Sequence, residues 1–297
     1  MEKKLGIYKK ITMIHLLFLL VMLVFAGGYA MFGLLDHIRT DITLLHFNNI
    51  LMGATLTILV LYVFSKNNKV SVKRLGWHLT LKDLNFILVV FFVTLCTLGL
   101  FIIVLKQNKT LNVTLRLDRF KEFPYYLLLL WAVLGWMLAA LKEEVLSRGF
   151  VLFNLTQMNI GKMILVSAVV FMVLHIPTNG FDVFKMFSWF MGGVVYAYIY
   201  IKSGSLSVAT IIHMIHNFLN DWVIGNNSQF AIVELSQKLA PDDKLIYELI
   251  LKVVILIFTI AFYGRSGLTT PAPNLKELWF KNDRSKVDAE RSINPSI

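Results

Sequence analysis

The stretch that decides the fold is residues 142–148, KEEVLSR, which lies inside an otherwise apolar segment at 124–153. Four of its side chains carry charge: Lys142, Glu143, Glu144 and Arg148. A charged side chain costs at least ~2.5–3.5 kcal/mol at the centre of a bilayer, so membrane helices retain one mainly where it faces a protein interior or a water-filled cavity. The stretch therefore predicts a membrane-spanning helix with one functional polar face.

The composition of the whole chain agrees with a membrane protein. Of 297 residues, 57% are hydrophobic and only 16% are charged, far from the average of soluble domains. Because about 20 apolar residues cross the hydrocarbon as a helix, the sequence predicts an all-α polytopic transmembrane helical bundle of about eight spans. The predicted spans are 11–35, 43–64, 84–105, 124–153, 163–176, 183–201, 204–223 and 245–263. Pro177 is expected to end the short fifth span, which must then begin before Met163 or lie shielded inside the bundle.

Basic residues before the first span and after the second predict that both termini are cytoplasmic. The apolar stretch near the N-terminus is too long for a signal peptide and predicts an uncleaved first helix. One basic loop, 106–123, falls on the predicted outer face and disagrees with this topology. The Lys-, Ile- and Asn-rich composition favours a multi-pass plasma membrane protein of a bacterium.

The net charge of +11 is explained by basic loops beside anionic lipid headgroups, so no nucleic-acid partner is expected. Cys96 is the single cysteine, which excludes an intrachain disulfide and a cysteine metal cluster. We divide the chain into an N-terminal three-helix membrane region at 1–123, a catalytic helical core at 124–264 and a polar cytoplasmic tail at 265–297. Within the tail, Leu275, Leu278 and Trp279 predict either a short interfacial helix or part of a disordered segment.

Helical spacing separates the two acidic residues of the deciding stretch. Residues four apart share a helix face, so Glu144 and Arg148 are expected to pair. Glu143 points about 100° away from Glu144 and lacks such a partner. It is therefore the candidate for binding or deprotonating a water molecule in a poorly solvated pocket.

Two later spans add polar side chains at a similar depth. His175 follows Phe171 by one helical turn, and Asn217 follows His213 in the same way. Counted from the predicted turns at ~1.5 Å per residue, Glu143, His175 and His213 all lie roughly 16–23 Å from one membrane face. We therefore expect these side chains to meet inside the bundle. His216 lies about 60° from the face of His213, which favours a structural role.

Three ordered motifs resemble those of one protease family. EEVLSR at 143–148, FMVLH at 171–175 and HMIHN at 213–217 are similar to the EExxxR, FxxxH and HxxxN motifs of the CPBP intramembrane proteases, the CAAX prenyl endopeptidase and bacteriocin-processing group also called Abi. The resemblance implies an endopeptidase that cleaves membrane-associated peptides or proteins near the cytoplasmic face.

The resemblance also implies a role for each matching residue. Glu143 would activate water with help from His175, while His213 and Asn217 would stabilise the oxyanion. Glu144, Arg148 and Phe171 would support the site. Glu143, His175 and His213 could alternatively ligate Zn²⁺. Because the sequence contains no HExxH motif, we favour a mechanism without a metal or other cofactor.

Two other functions compete with proteolysis. A non-enzymatic membrane partner or bacteriocin-immunity protein would keep the polar cluster for structure only. A transporter would use Glu143 and the histidines as a proton relay, but the sequence shows no repeated, broken half-helices.

Overall fold

The computed structural model describes residues 2–107, 112–225, 230–236, 240–264 and 267–279. Its main helices are α1 (Glu2–Met31), α2 (Leu35–Thr40), α3 (Ile42–Asn68), α4 (Leu81–Gln107), α5 (Phe123–Glu144), α6 (Ile160–Asn179), α7 (Val183–Ser203), α8 (Leu206–Ile224) and α9 (Pro241–Tyr263). A π-helix, Val145–Leu152, continues α5, and 3-10 helices form at Val72–Leu75 and Leu117–Lys121. Two short strands, β1 (Val113–Leu115) and β2 (Val233–Leu235), pair antiparallel. The prediction of an all-α membrane bundle is confirmed.

Each of the eight predicted spans forms a long helix, but six of these helices are long and apolar enough to cross a membrane. They are α1 counted from Gly6, α3, α4, α5 with its π-helical continuation, α6 and α9. The sequence-based count of eight therefore falls to six candidate spans in the described part of the chain. The helices left out are α7 and α8, and α8 carries polar residues at His213, His216, Asn217 and Asp221.

The outer helices present apolar side chains to their surroundings. Leu23 on α1 is 65% exposed and Leu100 on α4 is 64% exposed. By contrast, α7 and α8 bury much of their surface against α5, α6 and α9. Polar groups on α7 and α8 therefore lie inside the protein, where other side chains can partner them, and the lipid-facing surface remains apolar.

The helix that carries the acidic pair changes geometry directly after it. The sequence predicted one continuous helix at 124–153, whereas the structure has α-helix up to Glu144 and π-helix over Val145–Leu152. All eight residues of the π-helix are buried. A π-helix is a rare, wider turn that often occurs at functional sites. The change could not be predicted from hydropathy, because both helix types bury apolar residues.

Pro177 does not end α6, which corrects the sequence-based boundary. The helix begins at Ile160, before Met163 as its length requires, and continues to Asn179. Gly180 then ends it with a φ of 76°, and the Gly180 amide donates to the Ile176 carbonyl at 2.9 Å. A proline this close to the helix end removes a single backbone donor and has little helix after it to kink.

The described part of the basic loop, from residue 112 onward, pairs with the segment before α9. β1 pairs with β2, and the Arg116 guanidinium lies 3.0 Å from the Glu234 carboxylate. A side-chain hydrogen bond from Arg116 also lowers the pKa of the Asp118 carboxyl from its ordinary value. Part of the positive charge in this loop is thus neutralised locally. The positive-inside rule counts Lys and Arg residues and not net charge, so the loop still disagrees with the predicted topology. Lys109, within the 106–123 loop, lies outside the described residues.

Part of the predicted polar tail packs against the bundle. Residues 273–279 are helical, and both Leu275 and Trp279 are buried. The backbone amide of Ala272 donates to the Ile201 carbonyl at 2.9 Å, which ties the segment to the end of α7. Of the two sequence-based alternatives, the described portion is therefore a short packed helix. The tail beyond residue 279 lies outside the described residues.

Two neighbouring glycines on α7 have different surroundings. A Cβ on Gly193 would lie 2.7 Å from the Cα of Ala168 on α6, so the two helices touch backbone to backbone there. A Cβ on Gly192 would lie 3.5 Å from Lys252 and 3.7 Å from Tyr196, which are ordinary contact distances. Of these two glycines, Gly193 is therefore the one that the contact between α6 and α7 requires.

We expect Gly193→Ala to separate α6 from α7 and to lower the unfolding temperature of the detergent-solubilised protein. Gly192→Ala is the matched control. It should unfold at or slightly above the wild-type temperature, because alanine stabilises a helix interior by roughly 0.5–1 kcal/mol relative to glycine. Thermal unfolding of both variants tests the contact. Equal unfolding temperatures would contradict it.

Candidate active site

The centre of the site is a buried ion pair within the α5 segment. The Glu144 and Arg148 side chains are both fully buried, and Arg148 Nη1 lies 3.0 Å from Glu144 Oε1. Arg148 Nη2 also donates to the carbonyl oxygen of Gly193 at 2.9 Å. The pairing predicted from the i,i+4 spacing is present. Through the second bond, Arg148 also links this helix to α7.

Aromatic rings enclose the Arg148 guanidinium. Its Cζ lies 4.5 Å from the centre of the Phe171 ring and 5.6 Å from the centre of the Tyr196 ring. Such cation–π contacts strengthen when water is excluded. Phe171 thus packs where the resemblance implied, and its contact with Arg148 connects α6 to the ion pair.

Glu143 lies beside two histidines from other helices. Its Oε2 is 3.6 Å from Nε2 of His175 and 3.8 Å from Nε2 of His213. The Glu143 side chain remains 16% exposed, in contrast to the fully buried Glu144. The convergence that the depth argument predicted is therefore present, and the two adjacent carboxylates have different surroundings.

Hydrogen bonds at Nδ1 determine which way each imidazole presents its lone pair. His175 Nδ1 lies 2.8 Å from the Phe171 carbonyl oxygen, and His213 Nδ1 lies 2.9 Å from Glu144 Oε1. The Phe171 carbonyl oxygen can only accept a hydrogen bond, and Glu144 Oε1 also accepts one from Arg148, so each Nδ1 acts as the donor. In a neutral ring, Nε2 is then an acceptor. Both Nε2 atoms therefore direct lone pairs towards the Glu143 carboxylate.

Two ring stacks hold these histidines in place. The His175 ring is 4.9 Å from the Trp189 ring at 21°, and the His213 ring is 4.5 Å from the Tyr196 ring at 19°. Trp189 and Tyr196 both belong to α7. This helix therefore orients both imidazoles, and Tyr196 contacts His213 and Arg148 at the same time.

The histidines line a cavity of about 110 Å³. A site for one water molecule needs roughly 10–15 Å³ measured in this way, so the cavity can hold several waters or part of a peptide chain. Its lining consists of Phe171, His175, Ser188, Trp189, Gly192, Tyr196, His213, His216, Asn217, Glu248 and Lys252. Asn217 thus reaches the space beside the catalytic candidates. His216 also lines the space, and it lies near Tyr196 with 6.3 Å between ring centres.

The zinc alternative requires three ligands around a common point. Within the described segments, no group of three or more His, Cys, Asp or Glu side chains has the arrangement of a metal site. The bond from His213 Nδ1 to Glu144 does not decide the question, because metal-ligating histidines usually make such a bond as well. The hypothesis without a metal is therefore the one developed below.

Sequence reasoning missed several residues of this site. Trp189 and Tyr196 carry no charge and look like packing residues. Glu248 and Lys252 lie one turn apart inside the apolar α9, where they form an ion pair at 2.7 Å. A charged pair within a span is the same signal that identified Glu144 and Arg148, so these two could have been found.

Comparison with known families agrees with this geometry. Residues 125–219, roughly a third of the chain, match the family model described as type II CAAX prenyl endopeptidase Rce1-like. Over this region the chain is similar to the CPBP intramembrane proteases, the group that the three motifs resemble. The matched region runs from α5 into α8 and includes all three motifs, whereas α9 lies beyond it. No curated protein and no solved structure matches the chain.

We expect Arg148→Ala to lower the free energy of unfolding by about 3–5 kcal/mol, because it leaves the Glu144 charge buried without its partner. The double variant Glu144→Gln/Arg148→Met removes both charges and should cost less than Arg148→Ala alone. Denaturant unfolding in detergent measures both. A double variant less stable than Arg148→Ala would contradict the interpretation that the unpaired charge causes the loss.

Proposed function

We propose that this protein is an intramembrane endopeptidase that hydrolyses peptide bonds of membrane-associated peptides or proteins near the cytoplasmic face of the membrane. The observation that carries the proposal is the approach of His175 Nε2 and His213 Nε2 to the Glu143 carboxylate, at 3.6 and 3.8 Å. Three acceptors that face one another favour a molecule that brings protons. A water molecule has this property, and it is the nucleophile that hydrolysis needs.

Glu143 is the base in this mechanism. As a water oxygen attacks the carbonyl carbon of the substrate, one water proton passes to the Glu143 carboxylate and a carbon–oxygen bond forms. His175 accepts the second water hydrogen through Nε2, which orients the attacking lone pair. Its Nδ1 bond to the Phe171 carbonyl supports this role by keeping Nε2 as the acceptor.

Asn217 and His213 stabilise the negative charge that develops on the carbonyl oxygen. Asn217 lines the cavity and can donate through its side-chain amide without any change of protonation. His213 already donates through Nδ1 to Glu144, so it can donate through Nε2 only by taking the proton that Glu143 has received from the attacking water, and it returns that proton to Glu143 before the carbon–nitrogen bond breaks. The positive charge of that imidazolium is stabilised by the Glu144 carboxylate. Fixed donors in a water-poor site are often the largest single contribution to catalysis.

The proton held by Glu143 completes the reaction. When the carbon–nitrogen bond breaks, this proton passes to the leaving amine, and the carboxylate is regenerated. Glu144 does not transfer the proton, because its Oε1 accepts hydrogen bonds from both Arg148 and His213. The two adjacent glutamates thus have separate roles, one in proton transfer and one in holding His213 and Arg148.

We expect Glu143→Gln to lower cleavage by about 10²–10⁴-fold, the usual contribution of a general base, without preventing membrane insertion. Comparative peptidomics of membranes from cells that carry wild type or variant measures this without knowledge of the substrate. Peptides that depend on Glu143 should be absent from the variant. Glu122→Gln is the matched control, because Glu122 is exposed at the start of α5 and far from the motifs along the chain.

If Glu143→Gln leaves the membrane peptides unchanged, the result would favour the alternative of a membrane partner or immunity protein. In that case the peptides of wild type and Glu143→Gln would be identical, and the cellular phenotype would persist in the variant. Loss of the same peptides in Glu122→Gln would show instead that the change reflects expression and not chemistry.

We expect cleavage by the purified protein to persist after treatment with a strong chelator and removal of the chelated metal, because the mechanism needs no cation. The assay uses a peptide found to depend on Glu143. An activity that chelation abolishes and Zn²⁺ restores would contradict this prediction and would support a metal held by Glu143, His175 and His213.

A further inference from the structure

A second polar cluster lies in the same cavity, outside the three motifs. It consists of Ser188 on α7 with Glu248 and Lys252 on α9. Lys252 Nζ donates to Ser188 Oγ at 2.5 Å and to Glu248 Oε2 at 2.7 Å. The Ser188 hydroxyl donates to the same Glu248 oxygen. We call these three side chains the Ser-Glu-Lys cluster.

The cluster is adjacent to the catalytic candidates. Ser188 directly precedes Trp189, whose ring stacks on His175. Gly192, one turn further along α7, lies beside Lys252 and Tyr196. Because the cluster and the histidines line one cavity, a peptide bound for hydrolysis must pass close to both.

Hydrogen-bonding capacity remains in the cluster. A lysine ammonium has three N–H groups, and the two bonds described above use two of them. Within the described part of the chain, the bonds to Glu248 end on Oε2, which leaves Oε1 able to accept another. The cluster therefore offers one donor and one acceptor next to each other. This is the complement of one residue in an extended peptide, whose own N–H and C=O point to the same side of the chain.

The charge balance selects the type of ligand. Lys252 and Glu248 neutralise each other, and no other lysine, arginine, aspartate or glutamate lines the cavity within the described residues. Glu143 lies beside the histidines and adds a negative charge nearby. A carboxylate, such as a free peptide C-terminus, would therefore feel no net electrostatic attraction to this cavity. A neutral dipolar group does not need a net charge, because it can pair its own donor and acceptor with Glu248 and Lys252.

We infer that the Ser-Glu-Lys cluster binds the backbone N–H and C=O of one extended substrate residue beside the scissile bond, independently of side-chain identity and without a free C-terminal carboxylate. The inference rests on the proposed endopeptidase function. It assigns Glu248 and Lys252 a binding role that neither the three motifs nor the family match covers, because both residues lie beyond residue 219.

The test begins with the peptides that depend on Glu143. Their abundance is measured for Glu248→Gln/Lys252→Met, which removes both charges together and avoids leaving one buried alone. The matched control is Asp243→Asn/Lys244→Met, which removes the same charges from the first turn of α9, outside the cavity. We expect the cavity variant to lose the peptides and the control to keep them. Peptides that vanish in Glu143→Gln but persist in the cavity variant would overturn this inference alone.

A synthetic peptide that spans the identified cleavage site gives the sharper readout. Methylation of successive backbone nitrogens in turn removes each N–H donor. At one position we expect methylation to raise KM roughly tenfold for wild type, the usual effect of one lost hydrogen bond to a charged group. The cavity variant should show a raised KM for the unmodified peptide and no further change at that position. Equal sensitivity of both enzymes at every position would contradict the inference.

Two further comparisons test whether the cluster binds a carboxylate and whether the result depends on folding of the cavity variant. A peptide with an amidated C-terminus should be cleaved as well as the free acid, and a strong preference for the acid that vanishes in the cavity variant would show that the cluster binds a carboxylate instead. If the cavity variant does not fold, Ser188→Ala provides the test. It keeps the ion pair but removes the hydroxyl that positions Lys252 Nζ, so it should still raise KM. If no peptide depends on Glu143, the proposed function fails and the inference fails with it.

Discussion

The fold around the site depends on the buried guanidinium of Arg148. Arg148 is fully enclosed, and three helices of the matched region contribute to its surroundings: Glu144 from α5, Phe171 from α6, the Gly193 carbonyl and the Tyr196 ring from α7. A charge without these partners would cost several kcal/mol in such a place. The helices must therefore assemble in one arrangement to accommodate it. α8 joins through His213, which donates to the same Glu144 oxygen.

This arrangement explains how adjacent glutamates acquire different chemistry. Glu144 is fully buried, and its Oε1 accepts hydrogen bonds from Arg148 and His213. Glu143 points to the other side of the helix, keeps 16% of its side chain exposed and faces two imidazole nitrogens. By accepting the hydrogen bond from His213 Nδ1, Glu144 fixes the His213 tautomer in which the Nε2 lone pair faces Glu143. Loss of the ion pair would consequently disturb the site even though Arg148 touches none of the proposed reacting atoms.

Much of the fold and part of the site could be predicted from residue types and spacing. Apolar segments located the eight long helices, and the four-residue spacing identified the Glu144–Arg148 pair. Counting residues from the turns placed Glu143, His175 and His213 at one depth, where the structure brings them together. Errors arose where local rules compete with packing. Pro177 was expected to end a helix that continues to Asn179, and a helix expected to be regular becomes a π-helix after Glu144.

The sequence by itself determined that the chain is an apolar helical bundle with a charged motif at membrane depth, because hydropathy and helical period are local properties that each segment carries alone. It also determined which residues share a helix face. Only the tertiary structure decided which faces meet. The stacking of Trp189 and Tyr196 on the histidines, and the approach of Ser188 to Lys252 across two helices, depend on how α7 is rotated and tilted against its neighbours. That rotation follows from close contacts such as Gly193 on Ala168, which no pattern within one helix encodes.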